Sequence, residues 1–166
     1  ANVNLNYELF KGLKLKSNFG YSSFFTRENS SSPSTSFQPN TGIKPSANFA
    51  NSNTGNWIAE PQLEYKERLT KEQDITVLMG ASLQHTRRES EYIQATRYEN
   101  DLLLGTPAAA GRILADKDYS VYNYAAVFGR IQYNALNKYL LNLSLRRDGS
   151  SRFGPGKRFS NFFCFI

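Results

Sequence analysis

Asn2-Val3-Asn4-Leu5-Asn6-Tyr7-Glu8-Leu9, then Phe10-Lys11-Gly12, then Leu13-Lys14-Leu15-Lys16-Ser17-Asn18-Phe19, opens the chain with polar and apolar residues in near-strict alternation. Successive side chains of a strand point to opposite faces, so this pattern predicts two strands, each apolar on one face and polar on the other. Lys11-Gly12 between them reads as a tight turn. Working outward, the same period predicts a second strand reaching Phe24 and four more over about Trp57–Arg68, Asp74–Arg87, Tyr119–Tyr133 and Tyr139–Arg146.

Splitting the six strands by parity separates two chemistries. One face carries Val3, Leu5, Tyr7; Leu15, Phe19, Tyr21; Trp57, Leu63, Tyr65; Ile75, Val77, Met79, Leu83; Ala125, Val127, Ile131, Tyr133; and Tyr139, Leu141, Leu143, Leu145. The other carries Asn4, Asn6, Glu8; Lys14, Lys16; Glu60, Gln62, Glu64, Lys66; Thr76, Ser82, Gln84; Arg130, Gln132; and Asn142, Ser144, Arg146. No charge falls on the apolar face between the predicted strand ends. A lipid-facing sheet requires this, because Arg or Lys at mid-bilayer costs about 2–4 kcal/mol. Leu5, Phe19, Val77, Val127, Ile131, Leu141 and Leu143 are therefore the expected lipid-facing residues.

Length and spacing point the same way. The fourth and fifth strands can exceed the ~9–11 residues that a tilted membrane strand needs, against a usual ~5–6 in globular sheets. Connections alternate short and long: short around 10–12, 69–73 and 134–137, long over about 25–56 and 88–118. Short turns on one side and long loops on the other are the habit of outer-membrane barrels. The expected fold is all-β: an antiparallel up-and-down meander of six long strands. Six strands do not close, since the smallest single-chain barrels have about 8, and open edges in lipid are untenable. The chain is expected to be an open barrel segment, a partial barrel domain over residues 1–166.

Composition narrows the field. No run of about 18 apolar residues offers a transmembrane helix. A mean hydropathy of −0.53 usually marks a soluble chain, but a barrel strand presents only alternate residues to lipid. Ten Tyr and twelve Phe against one Trp suit strands and aromatic girdles. The net charge of +6 is scattered, with neither a basic run nor a nucleic-acid motif, so no nucleic-acid partner is expected. No signal peptide precedes the first strand, as expected where a leader has been removed or a chain starts in mid-protein. Cys164 alone excludes an internal disulfide framework.

Three stretches carry a resemblance. Tyr122-Asn123-Tyr124-Ala125-Ala126-Val127-Phe128-Gly129-Arg130-Ile131, then Lys138-Tyr139-Leu140-Leu141-Asn142, then Arg146-Arg147-Asp148-Gly149-Ser150-Ser151-Arg152-Phe153-Gly154-Pro155 resemble the barrel signature of SusC/RagA-type TonB-dependent transporters. Trp57-Ile58-Ala59-Glu60-Pro61-Gln62-Leu63 resembles an earlier strand of that family. The resemblance implies a 22-strand outer-membrane barrel with an N-terminal plug, energised by TonB and capped by a SusD-like lipoprotein. The implied cargo is an oligosaccharide or peptide, and the implied location is the outer membrane of a Gram-negative bacterium. This chain would be a middle section, without plug, TonB box or most strands. The ending Phe162-Phe163-Cys164-Phe165-Ile166 departs from the family pattern, as truncation or a shifted frame would make it. Pro61 removes a ladder donor within a strand, so a bulge or unpaired position is expected there.

Candidate site residues read mostly as structure. In the signature, Asp148-Gly149 is expected to turn the chain, with Arg146, Arg147 and Arg152 available to clamp Asp148 or neighbouring carboxylates. Ser150, Ser151, Phe153 and Gly154 complete a rigid strand-to-loop exit, with ligand contact as the other reading. The loop over Ser30–Ser36 reads either as solvated chain or as a ligand-capturing surface with Phe37 and Phe49 as stacking groups. Gly105–Gly111 lacks the Gly-Lys-Ser/Thr ending of a P-loop and reads as a loop fold.

His85, the one histidine, is expected on the outward face as an interfacial polar group. Glu60 and Glu64 are separated by about 13 Å along one strand, which suits a lumen wall better than an acid/base pair. No catalytic, cofactor-binding or metal-binding residues are assigned, and no cofactor is expected. Two other readings remain open: a soluble cell-surface β-sandwich that binds carbohydrate, and an outer-membrane enzyme whose catalytic constellation the sequence does not display.

Overall fold

The structure, a computed structural model, describes residues 1–38, 41–136, 138–154 and 158–165. Alternating sequence becomes strand throughout: β1 (Asn2–Phe10), β2 (Leu13–Ser32), β3 (Ser46–Thr70), β4 (Gln73–Thr96), β5 (Arg112–Ala135), β6 (Tyr139–Ser150) and β7 (Phe159–Phe165). They lie in one sheet in sequence order, each antiparallel pair joined by the connection between them. The all-β meander is borne out. It has seven strands rather than six, because Phe159–Phe165 pairs along β6 from Gly149↔Phe159 to Leu143↔Phe165. Among the described residues no helix is long and apolar enough to cross a membrane.

The central strands run further than alternation predicted. β2 continues to Ser32 and β3 begins at Ser46, so the first long connection shortens to 33–45. β4 continues to Thr96 and β5 begins at Arg112, leaving 97–111 for the second. The segments added to β2 and β3 are rich in Ser and Asn, those added to β4 and β5 are not, and the apolar residues they pack together, Ala47, Phe49, Ile93 and Ala95, are too few to announce a strand. β3 also runs without interruption through Pro61. The predicted positions of Asn137, Pro155 and Ile166 lie outside the described residues.

The molecule divides into two compact units. Ala1–Ser22, Asn56–Thr86 and Val121–Ile166 form the first; Ser23–Gly55 and Arg87–Ser120 form the second.

In the first unit, short turns close neighbouring strands. Lys11-Gly12 joins β1 to β2 with Gly12 at φ +88°, a left-handed conformation that costs glycine nothing. A side chain there would also strike the Lys66 carbonyl, and the Lys66 N–H donates to the Gly12 carbonyl at 2.7 Å. After β5, Leu136 adopts φ +58° and its N–H reaches the Glu72 carbonyl at 2.7 Å. β1 carries an irregularity between Glu8 and Phe10 just before its turn.

The second unit has its own small core. Ala47 and Phe49 of β3 meet Ala95 of β4, and the returning chain lays Tyr98 and Leu104 against them, with Ile93, Ala109 and Ala110 alongside. Tyr98 is fully buried. Its hydroxyl donates to the Thr106 carbonyl at 2.9 Å, and its N–H donates to the Pro45 carbonyl at 3.2 Å. The 3₁₀ turns Asp101–Leu103 and Pro107–Ala109 shape the segment between. Arg97, at φ +63°, starts the return and accepts the Gly111 N–H on its carbonyl.

Replacing Tyr98 by Ala removes the largest buried side chain of this core, so its local stability should fall by about 3–5 kcal/mol. Tyr98→Phe forfeits only the hydroxyl bond and should cost about 1 kcal/mol. Limited proteolysis across 97–111 checks the ranking: rapid cleavage for Tyr98→Ala, and near-native resistance for Tyr98→Phe.

Candidate functional site

Cross-strand pairing decides which side chains share a face. Residues directly opposite in an antiparallel ladder project the same way. Val3↔Phe19 and Leu5↔Ser17 join β1 to β2; Ile131↔Leu143, Tyr133↔Leu141 and Ala135↔Tyr139 join β5 to β6. Interactions between side chains carry the parity across the middle strands of the first unit. Lys16 of β2 donates to Glu64 of β3 at 2.8 Å, and Ser82 of β4 donates to Glu60 of β3 at 3.4 Å. Gly80 of β4 lies between the Phe128 ring of β5 and Gln62 of β3. Even-numbered residues therefore share one face, and Leu5, Phe19, Val77, Val127, Ile131, Leu141 and Leu143 share the other.

The even face is a hydrogen-bonded polar wall. Glu64 accepts from Lys16 at 2.8 Å and pairs with Lys66 at 3.1 Å. Arg130 donates to Asn142 at 3.0 Å and to Gln132 at 3.3 Å. Gln84 and Thr86 both donate to the Asn56 side-chain oxygen, at 3.2 and 2.8 Å, and Asn134 donates to Asp74 at 3.1 Å. Glu64, Lys66, Thr76, Leu78, Arg130 and Gln132 line a shallow hollow of about 270 Å³ on this wall. Glu60 and Glu64 each have a separate partner, as wall residues do. The odd face differs: Val3, Leu5, Met79, Val127 and Tyr139 are each more than half exposed.

The signature segment folds differently from expectation. Asp148-Gly149 does not turn the chain; β6 continues through Ser150, and the bend falls at 150–153, where the Phe153 N–H donates to the Ser150 carbonyl at 3.3 Å. The three arginines do not converge on Asp148. Arg146 alone reaches it, at 2.7 Å, while also donating to the Tyr124 hydroxyl at 2.7 Å and lying over Phe128. Arg147 stacks over Phe159, 4.8 Å from the ring centre, and Arg152 over Tyr122 at 4.5 Å.

Parity explains the sorting: residues 146 and 148 share a face, whereas 147 does not. The serines tie the exit down. Ser151 exchanges bonds with Asn123, N–H to carbonyl at 2.9 Å and Asn123 N–H to Ser151 Oγ at 3.0 Å. The Ser150 N–H donates to the Arg158 carbonyl, and its hydroxyl accepts the Arg152 N–H at 3.2 Å. Gly149 faces the Phe159 ring across the ladder, where a side chain would come within 2.8 Å of a ring carbon.

His85 lies on the odd face, stacked on Trp57 at 6.0 Å with Nδ1 2.6 Å from the Asn123 side-chain oxygen. Among the described residues no cluster of three His, Cys, Asp or Glu is placed to hold a metal. Phe49, one of two candidate stacking groups, belongs to the second unit's core and is not available to a ligand. Ser34, in the expected solvated loop, is instead clasped: its N–H and hydroxyl donate to the two Asp101 carboxylate oxygens at 2.8 and 2.6 Å. That contact joins residues 67 positions apart, and no local pattern announces it.

No family model matches the chain. TonB-dependent receptor P3 of Formosa agariphila is 28% identical over 164 residues, 98% of this chain and 16% of that protein. TonB-dependent receptor P26 of the same organism is 34% identical over 111 residues, 64% of this chain and 11% of that protein. Among solved structures, the RagAB peptide transporter superposes with a TM-score of 0.85 at 24% identity, covering 99% of this chain and 19% of that one. The RagAB peptide importer in its 'closed-closed' state superposes with a TM-score of 0.78 at 25% identity, again over 99% of this chain.

The fold is thus that of an open segment from the wall of a β-barrel transporter. Its sequence relatives are TonB-dependent receptors and its structural neighbours are RagAB, so a fragment of the SusC/RagA type, as the signature stretches implied, fits both comparisons. The chain spans about a ninth to a fifth of the length of these relatives.

Two measurements test this arrangement. Gly149→Val drives a branched side chain into the Phe159 ring and should destabilise the β6–β7 pairing by about 1–3 kcal/mol. Pairing it with Phe159→Ala should recover most of the loss in a double-mutant cycle. The Asp101 carboxyl is held below its ordinary range by the Ser34 hydroxyl and then the Ser34 N–H. A depressed carboxyl stabilises the fold above its unfolded pKa, and that contribution disappears as pH falls through the folded value. The protection factor of the Ser34 amide, its exchange rate relative to the intrinsic rate at each pH, should therefore be high at neutral pH and fall under acid, with Asp101→Asn weakening the acid step.

Proposed function

We propose that this chain is a wall segment of an outer-membrane TonB-dependent nutrient importer, with its odd face against lipid and its even face lining a wet interior. The observation that carries the reading is the sorting of side chains in the first unit. Charged and amide groups of one parity bond to each other across five strands, β2 to β6, while large apolar groups of the other parity stand exposed. In water that apolar face would be an aggregation liability; in hydrocarbon it is the stable arrangement. The described residues form one sheet with no second sheet packed on it, which removes the basis for a β-sandwich. The named relatives are receptors and transporters, which supports transport over an enzyme role.

In this reading the short turns face the periplasm and the two long connections face the exterior. The parent protein would supply the remaining strands, a plug and the TonB contact, with a SusD-like lipoprotein as partner. The relatives named as peptide transporters favour peptide cargo, with oligosaccharide as the other class.

Leu143 lies midway along β6 between Tyr139 and Arg147 and so occupies mid-bilayer depth. In the parent protein, Leu143→Arg should cost about 2–4 kcal/mol and sharply reduce heat-modifiable folded barrel in the outer-membrane fraction. Thr76→Lys, on the even face, should assemble normally. Unchanged assembly of Leu143→Arg would refute the lipid face, as would monomeric behaviour of the 166-residue chain without detergent.

A further inference from the structure

The odd face is not uniformly bulky. Across β4, β5 and β6 of the first unit it carries Met79, Val127 and Leu145, but between them Gly129 contributes no side chain opposite Leu145. The result is a depression of about 390 Å³ walled by these residues and by Phe163 and Arg147. A second hollow of about 190 Å³, bounded by Val77, Ile131 and Leu143, shares Met79, Gly129 and Leu145 with it. Together they make an apolar furrow running along β6 from Leu143 towards Arg147.

The furrow ends on a cation. β6 extends past the predicted boundary, so Arg147 is a charge inside a strand on the odd face, beside the apolar side chains that wall the furrow. Among the described residues it faces no carboxylate; its guanidinium lies over the Phe159 ring, and Asn161 sits directly opposite with an amide. Four residues separate Leu143 from Arg147, about 13 Å along the strand. On a strand tilted by about 40° that is about 10 Å of depth from Leu143 at the midplane of an apolar band about 25 Å tall, and the long Arg147 side chain carries its guanidinium the rest of the way to the headgroup level. An uncompensated cation at that depth is stabilised by a phosphate, which matches a guanidinium's paired donors.

We propose that the furrow is a binding site for one phosphate-bearing membrane lipid, an acyl chain lying over Gly129 and the phosphate on Arg147 and Asn161. This rests on the odd face meeting lipid. Charge complementarity at the furrow's end selects a lipid over an apolar protein helix, which would leave Arg147 unanswered.

The geometry offers a clean probe. At Gly129 an added Cβ would meet only the Leu78 carbonyl, at 3.8 Å, and the backbone has no positive φ, so Gly129→Leu fills the furrow without straining the strand. The test is native mass spectrometry of the detergent-purified parent protein, titrated with phosphatidylglycerol or phosphatidylcholine. Wild type should retain one phosphatidylglycerol in preference to phosphatidylcholine. Arg147→Gln should weaken phosphatidylglycerol retention about fivefold, the effect of one basic residue near an anionic surface, and phosphatidylcholine, whose phosphate is offset by its choline, by less. Gly129→Leu should weaken both, and Arg147→Lys should keep most of the selectivity.

Equal retention by wild type and both variants, in a protein that assembles and shows the Leu143→Arg defect, overturns the site while leaving the lipid face standing. Failure of the Leu143→Arg test together with loss of all lipid retention overturns both. A dimer dispersed by Gly129→Leu, with no lipid bound, would assign the furrow to a second copy and refute the proposal.

Discussion

The antiparallel backbone ladder is the constraint on which everything else in the first unit depends. Once Ile131 pairs with Leu143 and Val3 with Phe19, the fixed alternation of side chains leaves no choice about the rest of those strands. A slip of one residue would put Arg130 and Glu64 on the exposed apolar face and bury Leu143 among amides. Specificity of register therefore comes from the cost of that exchange. The contacts of Lys16, Arg130 and Arg146 act as a check on one face while hydrocarbon-like residues act on the other.

The same ladder explains why an arginine pair in adjacent positions performs two tasks. Arg146 is drawn into a polar set with Tyr124 and Asp148, where charge-assisted bonds hold the end of β6. Arg147, one position on, is turned to the opposite face and finds only a ring beneath it. A motif that looks like a single basic cluster in one dimension is divided by the sheet. The serine bonds that follow anchor the exit from β6 and give the signature a structural purpose that needs no ligand.

The second unit obeys different rules. Its apolar stripe is short, Ala47 and Phe49 of β3 beside Ile93 and Ala95 of β4, and it gains order from the small core these make with Tyr98 and from the Ser34–Asp101 clasp. The buried phenol satisfies its hydroxyl on a carbonyl, which permits a polar-tipped side chain at the centre. Sequence distance matters here. Phe49 and Leu104 lie far apart along the chain, and their meeting depends on how the segment after Thr96 returns.

Alternation at Val3–Leu9, Ile75–Leu83 and Tyr139–Leu145 was enough by itself to determine the sheet and its two-sided chemistry, because period-2 patterning is a local property of a strand; the family likeness came separately, from the signature stretches. The rest was decided in three dimensions. The extensions of β2 and β3 are Ser- and Asn-rich and those of β4 and β5 are charged, so their strand pairing has little local signal. β7 was hidden because Phe162 and Phe163 are both apolar, which erases the alternation; pairing with β6 supplies the order. Phe49 looked like a free aromatic until a distant loop covered it. Asp148-Gly149 has turn chemistry, yet the ladder from β5 and the Phe159 ring over Gly149 hold it extended. Local preference yields wherever cross-strand bonds and ring packing contribute more than the turn itself.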